Sequence, residues 1–191
     1  MFRIGYGNDM HKLSAGRPLI LGGVEIESDL GAEGHSDADA LTHAITDAIL
    51  GALALGDIGS HFPSSDERWS NAESFVFLRF AVGLMKQNGY RLANLDATVE
   101  LEQPKLRPYI EQMATGLAQV LETDGGTISI KAKTGEGVDA VGERRAVRAT
   151  AVVLLKRNEY RNVQFDSDGI FSRDRDRHGR TGRGGSGPFW H

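Results

Sequence analysis

Two short segments carry side chains whose types and spacing suit a metal ion. Asp9 and His11 lie two residues apart near the N-terminus, and His43 follows in an apolar stretch further along the chain. Residues two apart on a strand point to the same face, so Asp9 and His11 act together if their segment is extended. Two imidazoles and a carboxylate leave a fourth position open, as in a catalytic zinc site. The sequence therefore predicts a zinc centre, provided that folding brings the two segments together.

The segment from His35 to Asp39 is expected to open an apolar helix that runs to about Leu55. His35 and Ser36 would then lie just before or at the start of this helix. Free amides and the helix dipole at that end favour an anion such as phosphate.

His43 has alternative interpretations. Asp39 and Asp47 are each four residues from His43 and share its helical face, so either is a candidate to orient the imidazole ring. Either carboxylate is equally well explained as a solvated group on the helix surface. His43 itself could be a core histidine that is hydrogen bonded to a carbonyl. Taken singly, Asp9 could cap a turn at the end of its strand, and His11 could be a polar histidine with ordinary hydrogen bonds.

Lys133, Thr134 and Glu136 form a second polar group, on a glycine-containing loop after a short apolar run. Lys133 and Thr134 suit phosphate, and Glu136 suits a harder cation such as Mg²⁺. An ordinary polar turn is the alternative. The Gly-, Ser- and Pro-rich stretch 57–66 predicts an irregular loop, the kind of segment in which functional groups concentrate.

Composition limits the class of protein. The 191 residues fit one domain with a core, and the net charge of −4 gives no general attraction to nucleic acid or anionic membranes. The absence of cysteine excludes disulfides and zinc–thiolate sites. No apolar run approaches the roughly 20 residues that cross a bilayer, and no targeting segment is evident. A cytoplasmic protein without nucleic-acid or membrane partners is expected.

Hydrophobic periodicity predicts an α+β fold with a single sheet and helices layered on one face. The predicted elements are a strand at 1–11, a hairpin at 18–26, helices at 35–55, 71–88 and 107–121, and strands at 91–101, 127–132 and 146–155. One domain is expected at 1–157. The remaining segment, 158–191, is a polar tail rich in Arg, Gly and Asp, too poor in apolar residues to pack, and is expected to be disordered.

The order of these motifs resembles the 2-C-methyl-D-erythritol 2,4-cyclodiphosphate synthase family. The resemblance runs from about Arg3 to Lys156 with near-constant spacing. Its motifs are Asp-x-His at 9–11, His-Ser-Asp-x-Asp at 35–39 with His43 after it, Gly-Asp-Ile-Gly at 56–59, Phe-Pro at 62–63, Gln-Pro-Lys at 103–105 and Lys-Ala-x-Thr-x-Glu at 131–136.

The resemblance implies a homotrimer with active sites between neighbouring subunits. Each site would cyclise 4-diphosphocytidyl-2-C-methyl-D-erythritol 2-phosphate and release CMP, in non-mevalonate isoprenoid precursor synthesis. Asp9, His11 and His43 would be the zinc ligands. His35 and Thr134 would position the phosphates and stabilise the transition state.

The resemblance also implies a second cation and a set of substrate contacts. Glu136 would bind a Mg²⁺ or Mn²⁺ ion that bridges the diphosphate. The loop 57–59 would hold the methylerythritol hydroxyls, and the segment 104–106 would form the cytidine pocket. The implied substrate-binding residues are Asp9, Met10, His11, His35, Ser36, Asp57, Ile58, Gly59, Phe62, Asp66, Pro104, Lys105, Leu106, Lys133, Thr134 and Glu136.

The sequence departs from the family at three places. Ser64 stands where many members have Asp, Lys133 where many have Thr, and Glu143 where an Arg usually contacts phosphate. Arg144 or Arg145 is a candidate to replace that Arg. Two rival functions follow from these departures and from the tail: a non-catalytic trimer that binds nucleotide or isoprenoid diphosphates, and an RNA-associated protein acting through the tail.

Overall fold

The computed structural model describes residues 1–158, so the predicted tail lies, apart from its first residue, outside the described range. The strands are β1 (Phe2–Ser14), β2 (Leu19–Leu21), β3 (Val24–Ile26), β4 (Gly31–Ala32), β5 (Tyr90–Glu100), β6 (Ile128–Lys133) and β7 (Ala146–Arg157). The helices are α1 (Ala40–Leu53), α2 (Ile58–His61), α3 (Ser74–Gln87), α4 (Ile110–Leu121) and α5 (Asp139–Gly142), with 3-10 turns at Glu67–Trp69, Arg107–Tyr109 and Gly125–Thr127.

The main sheet has five strands in the order β4-β1-β7-β5-β6, and β2 pairs with β3 in a separate hairpin. β7 runs antiparallel to both β1 and β5, whereas β6 is parallel to β5. The predicted α+β class, the hairpin and the long strands and helices are confirmed. The short elements β4, α2 and α5 were not predicted by the periodicity.

Two glycines on β1 let α1 lie directly on the sheet. A Cβ atom at Gly5 would fall 1.7 Å from the carbonyl oxygen of Ala48, and one at Gly7 would fall 2.1 Å from that of Ala44. Asp9 and His11 follow on the same side of the strand because side chains alternate. The close approach of strand and helix therefore aims both side chains at α1.

The other helices complete the layer on this face. Leu78 and Met85 of α3, and Met113 and Leu117 of α4, are buried as their helical spacing predicts. Within residues 1–158, no helix is long and apolar enough to span a membrane.

Within residues 1–158 the opposite face of the sheet is not covered by another element, and it is apolar along much of β1 and in the middle of β7. Its exposed apolar side chains are Phe2, Ile4, Tyr6, Met10 and Val152. The β5–β6 end of the same face is polar, because Asp96 pairs with Val152 and Lys131 pairs with Thr98. An antiparallel sheet that faces water normally carries polar residues there. An exposed apolar face of this kind is typical of a surface that contacts another protein.

Two sequence predictions of local structure are wrong. The central helix begins at Ala40 and not around His35 and Ser36, because Ala38 adopts a left-handed conformation (φ 57°) and Asp39 caps the first turn. The stretch 57–66 is not wholly irregular, since its first part forms the short helix α2 under the cap of Asp57.

Candidate metal centre and its surroundings

Asp9, His11 and His43 meet between β1 and α1. Asp9 Oδ2 lies 2.8 Å from His11 Nε2 and 2.9 Å from His43 Nδ1, and the two ring nitrogens are 3.2 Å apart. The three atoms thus form a compact triangle on the three residues that the sequence singled out. Tetrahedral zinc binds such N and O atoms at about 2.0–2.2 Å, a distance that this triangle accommodates.

Hydrogen bonds outside the triangle determine which nitrogen each ring presents. His11 Nδ1 lies 2.9 Å from the backbone oxygen of Glu33, which can only accept a hydrogen bond. Nδ1 therefore carries the proton, and Nε2 keeps its lone pair for a metal. His43 presents Nδ1 instead, and its Nε2 lies 2.8 Å from the Ser74 hydroxyl and 3.2 Å from that of Ser36. The donor set and both ring orientations fit a zinc ion.

The electrostatics of the triangle favour a cation. Burial raises the pKa of Asp9, but hydrogen bonds and charge interactions with His11 and His43 outweigh it and hold that pKa well below its ordinary value. Burial lowers the pKa of His11, whereas its contact with Asp9 raises it, with a net rise. Asp9 is therefore an anion at neutral pH, and it is placed between two nitrogen ligands.

Neither carboxylate proposed to orient His43 is hydrogen bonded to its ring in the described part of the chain. Asp39 instead accepts bonds from Gly22 N at 2.9 Å, Gly23 N at 2.7 Å and the Thr42 amide and hydroxyl. Burial raises the pKa of Asp39, and these hydrogen bonds oppose the rise. Asp39 thus joins the β2–β3 hairpin to the first turn of α1, and it occupies the Thr42 amide at the helix start, where the sequence predicted free amides for an anion.

Asp47 fixes the loop that follows α1. Its Oδ1 accepts a 2.7 Å hydrogen bond from the amide of Ile58, the residue after Asp57. Burial raises the pKa of Asp47, and the nearby charge of Asp57 adds to the rise. The predicted hydroxyl-binding loop, Asp57 to Gly59, is therefore tied to the same helix as His43, with Asp57 exposed at its tip.

The remaining predicted groups on this side lie in one neighbourhood. His35 Nε2 is 3.2 Å from the backbone oxygen of Asp66, and the Asp66 carboxylate binds Arg68. Phe62 packs on Phe77 with ring centroids 4.6 Å apart, and Phe77 in turn contacts the ring of His43. Aromatic packing thus connects the loop 57–66 to the metal centre, and sequence reasoning had not included Phe77.

Two predicted residues have side chains that do not face a site. Met10 lies on the open face of β1, half exposed and opposite to Asp9 and His11. Leu106 is buried in the core, so a ligand there would meet its backbone. Pro104 and Lys105 line a groove of about 620 Å³ whose other wall is the segment 27–29.

The loop after β6 holds the second polar group. The Thr134 hydroxyl donates a 2.8 Å hydrogen bond to Glu136 Oε1, and the amide of Gly135 donates to Glu102 at 2.9 Å. Thr134 and Glu136 therefore lie together, as the sequence predicts, and Glu102 anchors their loop to the end of β5. Lys133 is exposed at the end of β6.

Sheet register separates this loop from the metal centre. Met10, the residue between Asp9 and His11, pairs with Arg148 on β7. Arg148 pairs in turn with Glu100 on β5, and Glu100 pairs with Lys133 on β6. Three steps between neighbouring strands amount to about 14 Å. One chain therefore places the metal centre and the 133–136 loop at the same end of the sheet, too far apart for one phosphate to contact both.

The charged side chains of the segment 143–145, which departs from the family pattern, are paired. Arg145 binds Glu143 at 2.6 Å, and Arg144 binds Asp29. Each candidate replacement for the missing Arg thus already contacts a carboxylate. Ser64 is exposed.

The chain is similar in sequence to proteins of one family over most of its length. The sequence pattern of the YgbB family matches residues 2–156. The 2-C-methyl-D-erythritol 2,4-cyclodiphosphate synthase of Solibacter usitatus is 52% identical over 155 residues, which are 81% of this chain and 98% of that protein. The chloroplastic synthase of Oryza sativa subsp. japonica is 51% identical, over 82% of this chain and 70% of its own length.

Solved structures of similar sequence have the same fold as this chain. A 2-C-methyl-D-erythritol 2,4-cyclodiphosphate synthase in its CDP-bound form superimposes with a TM-score of 0.75 at 44% identity, covering 81% of this chain and all of that one. A Plasmodium falciparum protein in complex with CDP gives a TM-score of 0.74 at 35% identity, covering 83% of this chain and 97% of that one.

Proposed function

The chain belongs to the YgbB family, that of the 2-C-methyl-D-erythritol 2,4-cyclodiphosphate synthases, and we propose that its catalytic centre is a zinc ion bound by Asp9, His11 and His43. The reaction converts 4-diphosphocytidyl-2-C-methyl-D-erythritol 2-phosphate to the 2,4-cyclodiphosphate and CMP, in non-mevalonate isoprenoid precursor biosynthesis. The observation that carries the zinc proposal is the triangle of ligand atoms with both histidine tautomers set by outside partners.

The reaction is a phosphoryl transfer within one substrate molecule. An oxygen of the 2-phosphate forms a bond to the β-phosphorus, the bond from that phosphorus to the bridging oxygen breaks, and CMP leaves with the electron pair. The attacking oxygen is already an anion, so the barrier is mainly charge repulsion and orientation. A bound divalent metal supplies the positive charge that polarises a phosphate oxygen.

The chain's own residues orient the phosphates on both sides. His35, half-buried and held at the Asp66 carbonyl, lies in the same loop as Ser36, which contacts His43. Thr134 is assigned to the opposite side of the phosphates. Glu136, within hydrogen-bond distance of Thr134, is assigned to a Mg²⁺ or Mn²⁺ ion that arrives with the diphosphate.

The other contacts follow the shape of the substrate. The loop 57–59, with Phe62 and Asp66 beyond it, is assigned to the methylerythritol portion. The groove beside Pro104 and Lys105 is assigned to cytidine, together with the backbone of Leu106 and the exposed Lys133. The relatives solved with CDP support a cytidine site in this family.

A homotrimer would bring the two halves of this site together. The metal centre and the 133–136 loop are about 14 Å apart in one chain, but a neighbouring chain can place its own loop over the metal centre. The apolar part of the open face, with Ile4 and Tyr6 more than half exposed, is the surface that further copies would cover.

The test is CMP release by the purified full-length protein, with zinc content measured on the same sample. We expect release of CMP in proportion to bound zinc, its loss after chelation, and its return when zinc is added back. Protein that binds CDP but releases no CMP at full zinc loading would instead be the rival, non-catalytic binding protein.

A further inference from the structure

We propose that Ser74 and Asp37 form a positioning pair that holds the ring of His43 in its metal-binding state. The inference rests on the proposed zinc centre and adds two residues outside the ligand set. Ser74 is the first residue of α3, and Asp37 lies in the loop before α1. They meet behind His43, on the side of the ring that faces away from Asp9.

The contacts form one continuous chain. His43 Nε2 lies 2.8 Å from the Ser74 hydroxyl oxygen, and that hydroxyl donates to Asp37 Oδ1. The other Asp37 oxygen accepts a 2.9 Å hydrogen bond from the Ser74 amide. Ser74 has no exposed surface, so water does not replace these partners.

The direction of these hydrogen bonds selects one form of the ring. The Asp37 carboxylate accepts the Ser74 hydroxyl hydrogen, so the Ser74 oxygen offers only a lone pair to His43 Nε2. Nε2 must then carry the proton, and the lone pair of the ring is at Nδ1, the atom that faces Asp9 and His11. A polar group that fixes the second nitrogen of a metal-binding histidine typically contributes 10–100-fold to metal affinity.

The pair is also held rigidly by the backbone around it. The Asp37 amide donates to the Ala72 carbonyl at 3.1 Å, and the Asn71 amide donates to the His35 carbonyl at 2.8 Å. The loop before α1 and the segment before α3 are thus bonded to each other on both sides of the contact. Ser36, at 3.2 Å from Nε2, is a second and longer contact from the same loop.

The experiment measures zinc affinity of the full chain by competition with a coloured chelator, in Ser74→Ala and in wild type. Ser74→Ala leaves the hydrogen bond from the α3 amide to Asp37 but removes the nearer of the two hydroxyl oxygens beside His43 Nε2, the one whose direction Asp37 fixes. We therefore expect zinc to bind 10–100-fold more weakly. Ser74→Thr keeps the hydroxyl and should restore affinity to within a few-fold of wild type. Asp37→Asn removes one of the two acceptor oxygens and should also weaken zinc binding.

Thr46→Val is the matched control. Its buried hydroxyl lies on α1 near His43 but donates to the Thr42 carbonyl and not to a ligand, so zinc affinity should be unchanged. A cobalt-loaded sample gives an independent readout, because the visible spectrum should change in Ser74→Ala and remain wild-type in Thr46→Val.

Two failures are distinguishable. Wild type that binds no zinc contradicts the proposed metal centre itself. Wild type that binds zinc, with Ser74→Ala equal to it within twofold and its cobalt spectrum unchanged, overturns the positioning pair alone. An equal loss of affinity in Thr46→Val would also overturn it, because any buried hydroxyl would then have the same effect.

Discussion

The metal centre and the 133–136 loop are built in opposite ways. The ligands of the metal centre lie on the long strand β1 and the buried helix α1, and partners outside the ligand set fix each ring. Thr134 and Glu136 lie on an exposed loop and bond chiefly to each other. One chain thus brings all three candidate metal ligands together, whereas Thr134 and Glu136 face none of these ligands within residues 1–158.

His43→Ala should have the largest effect, because it removes one of the three proposed zinc ligands. We expect bound zinc and CMP release to fall below detection while the circular dichroism spectrum stays close to wild type, since α1 keeps its apolar contacts. Metal analysis after dialysis and a CMP assay are the measurements. His61→Ala, a histidine bonded to the Leu55 carbonyl on the next loop, is the control that should keep full zinc. Wild-type zinc content in His43→Ala would refute the ligand assignment.

Thr134→Val should impair the 133–136 loop and leave zinc binding unchanged. Removing one group that stabilises charge in the transition state costs about 10²–10³-fold in kcat, and we expect a loss of that size at unchanged zinc content. Kinetics of CMP release with metal analysis provide the check. Thr115→Val, which loses an exposed hydroxyl on α4, is the control. A parallel loss of zinc in Thr134→Val would mean that the two sides are not independent.

Gly5→Ala tests the scaffold of the metal centre. The added methyl would collide with the Ala48 carbonyl, so α1 must shift from β1, at a cost of about 1–3 kcal/mol in the free energy of unfolding. Urea denaturation of the zinc-free protein measures this cost. Gly83→Ala on α3 meets no atom within 4 Å and should be neutral or stabilising. Equal stability of Gly5→Ala and wild type would show that the contact is not tight.

Arg145→Ala should have the smallest effect. Arg145 pairs with Glu143 across an exposed 2.6 Å contact, and such surface pairs contribute little to stability. If copies of this segment lie close together in a trimer, the Glu143 carboxylates left behind repel one another, more strongly at low salt. Sedimentation at two ionic strengths should show weaker assembly mainly at low salt. Assembly equal to wild type at both would place this pair away from the subunit contacts.

Much of the metal centre was predictable because its signals are local. Alternation along β1 places Asp9 and His11 on one face, and the structure confirms this placement. The apolar character of α1 likewise indicates a buried helix, and His43 lies on it.

The parts that were missed depend on contacts between distant segments or on caps. Periodicity does not reveal that Ala38 turns left-handed and Asp39 caps α1, so the predicted helix began too early. Ser74 gives no signal in the sequence beyond being a serine near a helix start. Its role appears only when α3 docks beside His43. The strand order, which separates the loop 133–136 from the metal centre, likewise has no local signature.

Mixing two inactive variants tests most directly that one active site uses the metal centre of one subunit and the loop of its neighbour. His43→Ala and Thr134→Val are each expected to be inactive or nearly so alone. In trimers formed randomly from equal amounts of both, about a quarter of the sites would combine an intact metal centre with an intact loop. We expect CMP release near a quarter of the wild-type rate after mixed refolding. Activity no higher than the sum of the separate variants, in trimers shown to contain both chains, would contradict it.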